Sequence, residues 1–145
     1  MLYNSHYAEQ NSLAPMAKLL TYAHAGVAPE YMGIGPVPAV RKLMDKTGLN
    51  TADMDVIEAN EAFAAQTIAV SRELELPMDK ANPNGSGISL GRQVGATRCI
   101  ITVKALYELQ RIKGRYALVT MCIGGGQDIA AIFERLQSYK CIDNE

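Results

Sequence analysis

An α/β fold with a mixed β-sheet is the class this sequence predicts, and three observations predict it. Short apolar runs of strand length alternate with longer segments whose apolar residues recur at helical spacing. Near the C-terminal end, two strand-like runs are separated by Gly124, Gly125 and Gly126, which turn the chain back on itself. The 145 residues, with 48% hydrophobic and 20% charged, suffice for one domain with a real core. The expected order is β-α-β-α-α-β-β, a mixed sheet with helices on its faces.

Residues 18–23 are moderately apolar and read as a strand that ends at His24, Ala25 and Gly26. The Gly- and Pro-rich stretch 33–38 is a loop. Pro38 suits the first turn of a helix, where its missing N–H costs nothing. That helix runs to about Lys46, with Val40, Leu43 and Met44 on one face and Gly48 as its left-handed stop. Thr51 caps a short turn whose start carries Asp53 and Asp55. Residues 55–59 form a short strand.

A second helix is expected over 60–76, because Phe63, Ala64, Thr67, Ile68 and Ser71 recur at helical spacing and Pro77 ends the pattern. Asn60 is a good N-cap for it, and Glu61 complements the dipole in its first turn. The Gly-rich segment 82–91 is expected to be irregular. A third helix spans 95–113, and Ile100, Ile101, Val103, Ala105, Leu106 and Leu109 cover most of its circumference. Such a helix must be covered on more than one side, so another layer is expected from a partner or a missing half. Gly114 stops it. Residues 115–122 form a buried strand, 129–133 return as another, and the remainder is a polar tail.

Composition excludes several functions. A net charge of -1 creates no field to gather nucleic acid or an acidic membrane surface. No apolar run approaches the roughly 18 residues of a membrane span. Residues 1–12 lack the basic-then-apolar layout of a signal peptide. Cys99, Cys122 and Cys141 are odd in number and spread out, which fits a reducing cytoplasm rather than a disulfide framework. No Cys-x-x-Cys or His-x-x-x-His spacing exists, so no zinc site is expected.

Cys122 stands at a strand end just before three glycines. There a thiol can be presented at a sheet edge, and glycine N–H groups can approach a developing oxyanion. A Cys on an apolar strand is otherwise inert core. Gly85, Gly87 and Gly91 are spaced one residue too long for a dinucleotide fingerprint, and no Gly-Lys-Ser/Thr follows them. A tight structural loop is the alternative. His24 ends a strand close to a Gly, so it is either a ligand contact or a plain polar residue. The methionines, Met32 among them, serve as gap-fillers or loop anchors.

Four runs carry a resemblance. Residues 82–98, from Asn82-Pro83-Asn84-Gly85 through Leu90-Gly91-Arg92-Gln93 to Thr97-Arg98, resemble the thiolase signature N-x-N-G-G-x-x-x-L-G-H-P-x-G-[AC]-[ST]-G. Cys122-Ile123-Gly124-Gly125-Gly126-Gln127 is similar to the family's C-x-G-G-G-x-G loop. Asn60-Glu61-Ala62-Phe63-Ala64 matches N-E-A-F-A, and Met32-Gly33-Ile34-Gly35-Pro36 matches M-G-x-G-P. The likeness runs from about Tyr7 to Glu134. It implies a thiolase C-terminal domain over 13–135, preceded by a leader or remnant of a truncated helix (1–12) and followed by a polar tail (136–145).

The resemblance implies further roles. In thiolases a nucleophilic Cys of the N-terminal half takes the acyl group, and a coenzyme A thioester is the substrate, with no further cofactor. Cys122 corresponds to the acid/base Cys that removes an α-proton from acetyl-CoA. Gly124 corresponds to the oxyanion N–H that follows it, and Asn60 to the Asn that holds a donor water. Met32, Phe63 and His24 fall on the coenzyme A and substrate side. The packing of two similar halves around central helices answers the apolar helix over 95–113. A homo-oligomer and a separate N-terminal half are the implied partners.

Departures cluster at these motifs. Arg92 takes the place of the His that activates the nucleophile. An Arg can donate to an oxyanion but cannot accept a proton. Gln93 replaces a Pro, Arg98 a Gly, and Asp128 the Gly that closes the Cys loop, where a positive φ is expected. The chain also starts inside what would be a family helix. Two readings follow: a C-terminal half of an acyltransferase for Claisen condensation or thiolysis, inactive or crippled alone, and a non-catalytic remnant that dimerises or binds coenzyme A.

Overall fold

The computed structural model describes residues 1–91 and 93–136. Four strands form one mixed sheet in the order β1-β4-β3-β2: β1 (Ala17–Gly26), β2 (Val56–Ala59), β3 (Tyr116–Gly124) and β4 (Gln127–Arg135). β4 pairs antiparallel with both β1 and β3, and β2 joins β3 in parallel. Parallel pairing requires a crossover, and the helices between β2 and β3 supply it. A fifth extended piece touches the β2 edge at Ile57 and Ala81.

Among the described residues the α-helices are α1 (Ser5–Gln10), α2 (Pro36–Thr47), α3 (Ala64–Glu73), α4 (Gly87–Leu90) and α5 (Thr97–Ile112). Alternation along the strands sends side chains to two separate cores. On one face Ala130, Ile132, Leu118 and Ile57 pack under Val40 and Leu43 of α2 and Val70 of α3. On the other, Ala117, Val119 and Met121 of β3 pack under Ile101, Ala105 and Leu109 of α5. Each large aliphatic side chain so buried contributes about 1.5–3 kcal/mol.

Several boundaries differ from the sequence expectation. α2 begins at Pro36, two residues before Pro38, and does end at Gly48, whose φ is 70°. The 3-10 turn Thr51–Asp53 is capped by Asn50, not Thr51, because Asn50 and Asp53 form a reciprocal capping box. α3 starts at Ala64, so Asn60 and Glu61 are not its first turn; Phe63 is extended at the N-cap position with φ -146°. It stops at Glu73, before Pro77, because Glu75 turns left-handed at φ 48°. Within the Gly-rich segment, α4 makes one helical turn, held by a Ser86/Ser89 capping box. α5 is closed by Lys113 at φ 56°, one residue before Gly114. β4 is longer than the expected 129–133, and Asp128 lies inside it, outside the left-handed region. The expected positive φ at Asp128 is therefore wrong, and its physical consequence is burial instead.

α5 buries one face against the sheet and leaves the opposite side open, with Val103 50% and Tyr107 62% exposed. Ile88, Leu90 and Val94 before it are exposed as well. The second covering layer expected for this helix is not supplied by the described residues. None of their helices is long and apolar enough to cross a membrane.

Candidate active site

The β3–β4 hairpin presents Cys122. Gly124, Gly125 and Gly126 all have positive φ, at 111°, 63° and 71°, and the pairing slips between Cys122 and Gly124. Side chains at those φ values would be strained, which explains the glycine run. The carbonyl of Gly126 accepts from the Val27 N–H at 2.9 Å, which ties the hairpin to the end of β1. Cys122 is partly exposed, and Gln66 of α3 donates from Nε2 to its Sγ at 3.6 Å.

Asn60 arrives from β2. Its N–H donates to the carbonyl of Thr120 at 3.0 Å, continuing the parallel ladder toward the same sheet end as Cys122. Asn60 is 7% exposed, and its Nδ2 has no hydrogen-bond partner among the described residues. Gln66 Oε1 is likewise buried and meets no donor among them. Both residues line a small cleft that is also lined by Pro36, Thr67, Asn82 and Thr120. Buried polar atoms without partners suit a site that expects a polar guest.

The motif carboxylate and amides hold the surrounding loop. Asn82, itself left-handed at φ 49°, accepts from Ala59 N–H and donates to Ala59 C=O, both at 2.9 Å. It also donates to Glu61 at 3.0 Å, and Glu61 accepts from the Ile88 N–H at 3.2 Å. Asn84 donates to Glu108 of α5 at 2.9 Å. Lys104 of α5 donates to the Gly85 carbonyl and, at 2.8 Å, to fully buried Glu58. Burial raises the Glu58 carboxyl above its ordinary value, partly offset by Lys104. The Asn and Glu residues of these motifs therefore do structural work that their spacing did not disclose.

Asp128 is the cross-strand partner of Cys122, and cross-strand partners share a face. It is 1% exposed, and neither carboxyl oxygen meets an N–H or O–H among the described residues. Burial pushes its carboxyl above the ordinary range, and a hydrogen bond with the Cys122 thiol draws it part of the way back. A Cβ on Gly35 would overlap Asp128 Oδ2.

The remaining candidates lie apart. His24 is exposed, stacks on Tyr22 at 6.1 Å between centroids, and pairs across strands with Ile129, which packs on the α5 face. Its ring thus faces away from Cys122. Met32 and Phe63 are exposed, on the 3-10 turn Pro29–Ile34 and just before α3. Arg92 and Cys141 lie outside the described residues. Gln66 was missed by sequence reasoning, because no local pattern marks a helix glutamine that reaches a strand 56 residues away. Ser86 was missed too: it stands at the second Gly of the N-x-N-G-G pattern and is buried, its hydroxyl 3.4 Å from the Ala59 carbonyl. Among the described residues no cluster of His, Cys, Asp or Glu is placed to hold a metal.

Comparison with known proteins gives one answer. The family model for the thiolase C-terminal domain matches residues 13–135. The chain is 64% identical to the beta-ketothiolase BktB of Cupriavidus necator over 129 residues, covering 89% of this chain and 33% of that protein. It is 49% identical to an Escherichia coli 3-oxoadipyl-CoA/3-oxo-5,6-dehydrosuberyl-CoA thiolase over 138 residues, covering 94% and 34%. The acetyl-CoA acetyltransferase of Bacillus anthracis superposes with a TM-score of 0.89 at 43% identity, covering 92% of this chain and 34% of that one. Human mitochondrial 3-ketoacyl-CoA thiolase in complex with CoA does so with 0.88 at 42%, covering 91% and 34%. The chain spans about a third of the length of these relatives. With the family model covering most of its length and the fold matched at this identity, the chain belongs to the thiolase family, as a C-terminal portion of it.

Proposed function

We propose that this chain supplies the C-terminal half of an acyl-CoA acyltransferase site. The reaction is thiolysis of a 3-ketoacyl-CoA, or the reverse Claisen condensation. The observation that carries the reading is that Cys122 and Asn60 end adjacent strands at one sheet end, beside unsatisfied Asn60 Nδ2 and Gln66 Oε1. Cys122 passes a proton to or from the α-carbon of acetyl-CoA. Asn60 holds a water, and the Gly124 N–H faces the developing oxyanion. Met32 and Phe63 lie on the coenzyme A side; His24, whose ring faces away from the thiol, is the weakest of the assigned contacts. A coenzyme A thioester is the substrate, without metal or further cofactor.

The nucleophilic Cys belongs to the N-terminal half of the family's fold, and the exposed Val103 and Tyr107 face of α5 is where that half would pack. The chain alone is inactive, acts in the cytoplasm, and assembles as a homo-oligomer. Arg92 at the family His position removes a general base, a loss on the order of 10²–10⁴ in rate. The test is acetoacetyl-CoA cleavage after mixing with the N-terminal two-thirds of a related thiolase. Weak turnover, raised on the order of 10²-fold or more by Arg92→His, is expected. No gain from Arg92→His in a folded mixture would falsify the catalytic reading.

The insertion of buried Asp128 beside the thiol favours a second reading, a non-catalytic module that dimerises or binds coenzyme A. It predicts no cleavage in any mixture, and saturable retention of the chain on immobilised coenzyme A or a dimer on size exclusion.

A further inference from the structure

Lys104 closes a ring of contacts that begins and ends at β2. Its Nζ, mostly buried in the middle of α5, donates at 2.8 Å to Oε2 of Glu58 and also to the carbonyl of Gly85. Gly85 has φ 75°, and a side chain there would run into Ser89 Oγ, so the chain turns tightly at that carbonyl. Two residues on, Gly87 lies against the end of β2. A Cβ added to it would come within 2.5 Å of the Glu61 carbonyl oxygen and 3.6 Å of Asn60 Oδ1. The loop is thus the wall on the oxygen side of the Asn60 amide. Asn60 follows Glu58 by two residues, so the path through Glu58, Lys104, Gly85, Gly87 and Asn60 returns to the strand it left.

We propose that Lys104 is a positioning residue that holds the 85–87 loop against Asn60 and so sets the direction of the Asn60 amide. The proposal rests on the reading of Asn60 as a site residue and deepens it. With its oxygen faced by the loop, the amide keeps Nδ2 as the donor for the cleft that Asn60 lines. Other contacts secure the chain on either side: Asn84 donates to Glu108 at 2.9 Å, and the Ile88 N–H donates to Glu61 at 3.2 Å. Between them, Ser86 reaches the Ala59 carbonyl only at 3.4 Å, a long and neutral bond. The Lys104 bond is charge-assisted, and such bonds are roughly twice as strong as neutral ones. Its donor is itself anchored on Glu58, so it is not free to swing away.

The test is NMR of the 15N-labelled chain. It reads the side-chain amide resonances of Asn60 and hydrogen exchange at the N–H groups of Gly85, Ser86 and Ile88, all of which are hydrogen-bonded. Two variants are compared with wild type. Lys104→Met removes the ammonium and leaves Glu58 buried without its partner. Glu58→Leu with Lys104→Met removes both charges, so the core is kept while the link to Gly85 is gone. No coenzyme A substrate or N-terminal half is needed. Failure of the cleavage assay would strike the catalytic role of Asn60 and leave this measurement as it is.

In the double variant, exchange at these three N–H groups is expected to rise about tenfold or more, the scale set by losing a hydrogen bond to a charged group. The Asn60 side-chain resonances are expected to shift with it. Slow amides of β3 and β4 should change only as far as the urea midpoint changes. Lys104→Met should show the same local opening on top of a global loss. A role in stability alone would speed exchange in loop and core by one common factor and leave the Asn60 resonances in place, and that outcome overturns the proposal. So does wild-type protection of the loop in the folded double variant. Absence of nuclear Overhauser contacts between the Lys104 side chain and Gly85 in the wild-type chain would overturn it too, with no variant needed.

Discussion

Lys104 Nζ lies 2.8 Å from Glu58 Oε2, joining the middle of α5 to a β2 carboxylate that has no exposed surface. Glu58 Oε1 has no hydrogen-bond partner among the described residues. The pair is thus only partly satisfied, and the Lys104 charge keeps the other oxygen tolerable. Removing that charge strands a buried carboxylate. Lys104→Met is expected to cost about 3–5 kcal/mol, measured by urea unfolding. The double change Glu58→Leu with Lys104→Met removes both charges and is expected to cost much less than the single one. Equal losses for the single and double variants would show that packing, not charge, governs this contact.

One turn further along α5, Glu108 behaves in the opposite sense. Arg111 holds it with two hydrogen bonds at 2.9 and 2.5 Å, and Asn84 adds a third. Arg111 lowers its carboxyl to about 2 from an ordinary 4.5, with Asn84 assisting. A depressed carboxyl contributes stability that is present above 4.5 and lost as pH falls toward about 2. Glu58, raised by burial, runs the other way: its stability is fully present below 4.5 and is lost as pH rises through its raised value. The melting temperature is therefore expected to drop on the acid side between pH 4.5 and about 2, and Glu108→Gln to make that drop shallower. Glu134, lowered by Arg115 and Lys18, keeps it from vanishing. An unchanged acid limb in Glu108→Gln would remove Glu108 from the account.

The same network shows what the chain made legible and what it hid. Hydrophobic spacing reported the strand and helix order, because Val40, Leu43, Ile101 and Leu109 each need a core to face. The turn chemistry around Cys122 was legible because three successive glycines have few other uses. Asn60 was read as a helix cap because Asn, Glu and a helical pattern occur together there. The competing fact was non-local: Asn60 continues the ladder to Thr120, sixty residues away in sequence, and that pairing delays α3 until Ala64. Asp128 was read as a local backbone problem for a similar reason. Its burial comes from Gly35 and Cys122, neither of which spacing could bring to it.

Asn82 makes the Gly-rich segment part of the sheet. Its side chain pairs with both backbone groups of Ala59, as a neighbouring strand would, while its own φ is 49°. Replacement by Ala loses these bonds and leaves a β-carbon residue in the left-handed region. About 3–4 kcal/mol is expected, from roughly 1 kcal/mol for each of the two hydrogen bonds plus about 1–2 for the backbone. Asn82→Gly loses the bonds but tolerates the φ, so its urea midpoint should fall between wild type and Asn82→Ala. If Gly and Ala were equally damaging, backbone conformation would carry none of the cost.

Gly35 and Asp128 can be separated by a cycle of variants. Gly35 has φ -55°, a conformation open to any residue, so the backbone does not demand glycine there. What opposes a side chain is Asp128 Oδ2, which occupies the space a Cβ would take. Asp128 has no room to retreat, being enclosed on the α2 face of the sheet. Gly35→Ala is therefore expected to destabilise by about 1–3 kcal/mol, the usual cost of overfilling a packed site. In an Asp128→Gly background the obstruction is gone, and the same substitution should be close to neutral. The coupling between the two positions is then most of the single-variant cost, within the roughly 0.5–3 kcal/mol seen for residues in contact. Additive losses in the double variant would mean that Gly35 is needed for something other than the carboxyl, and the close approach of these two residues would lose its explanatory role.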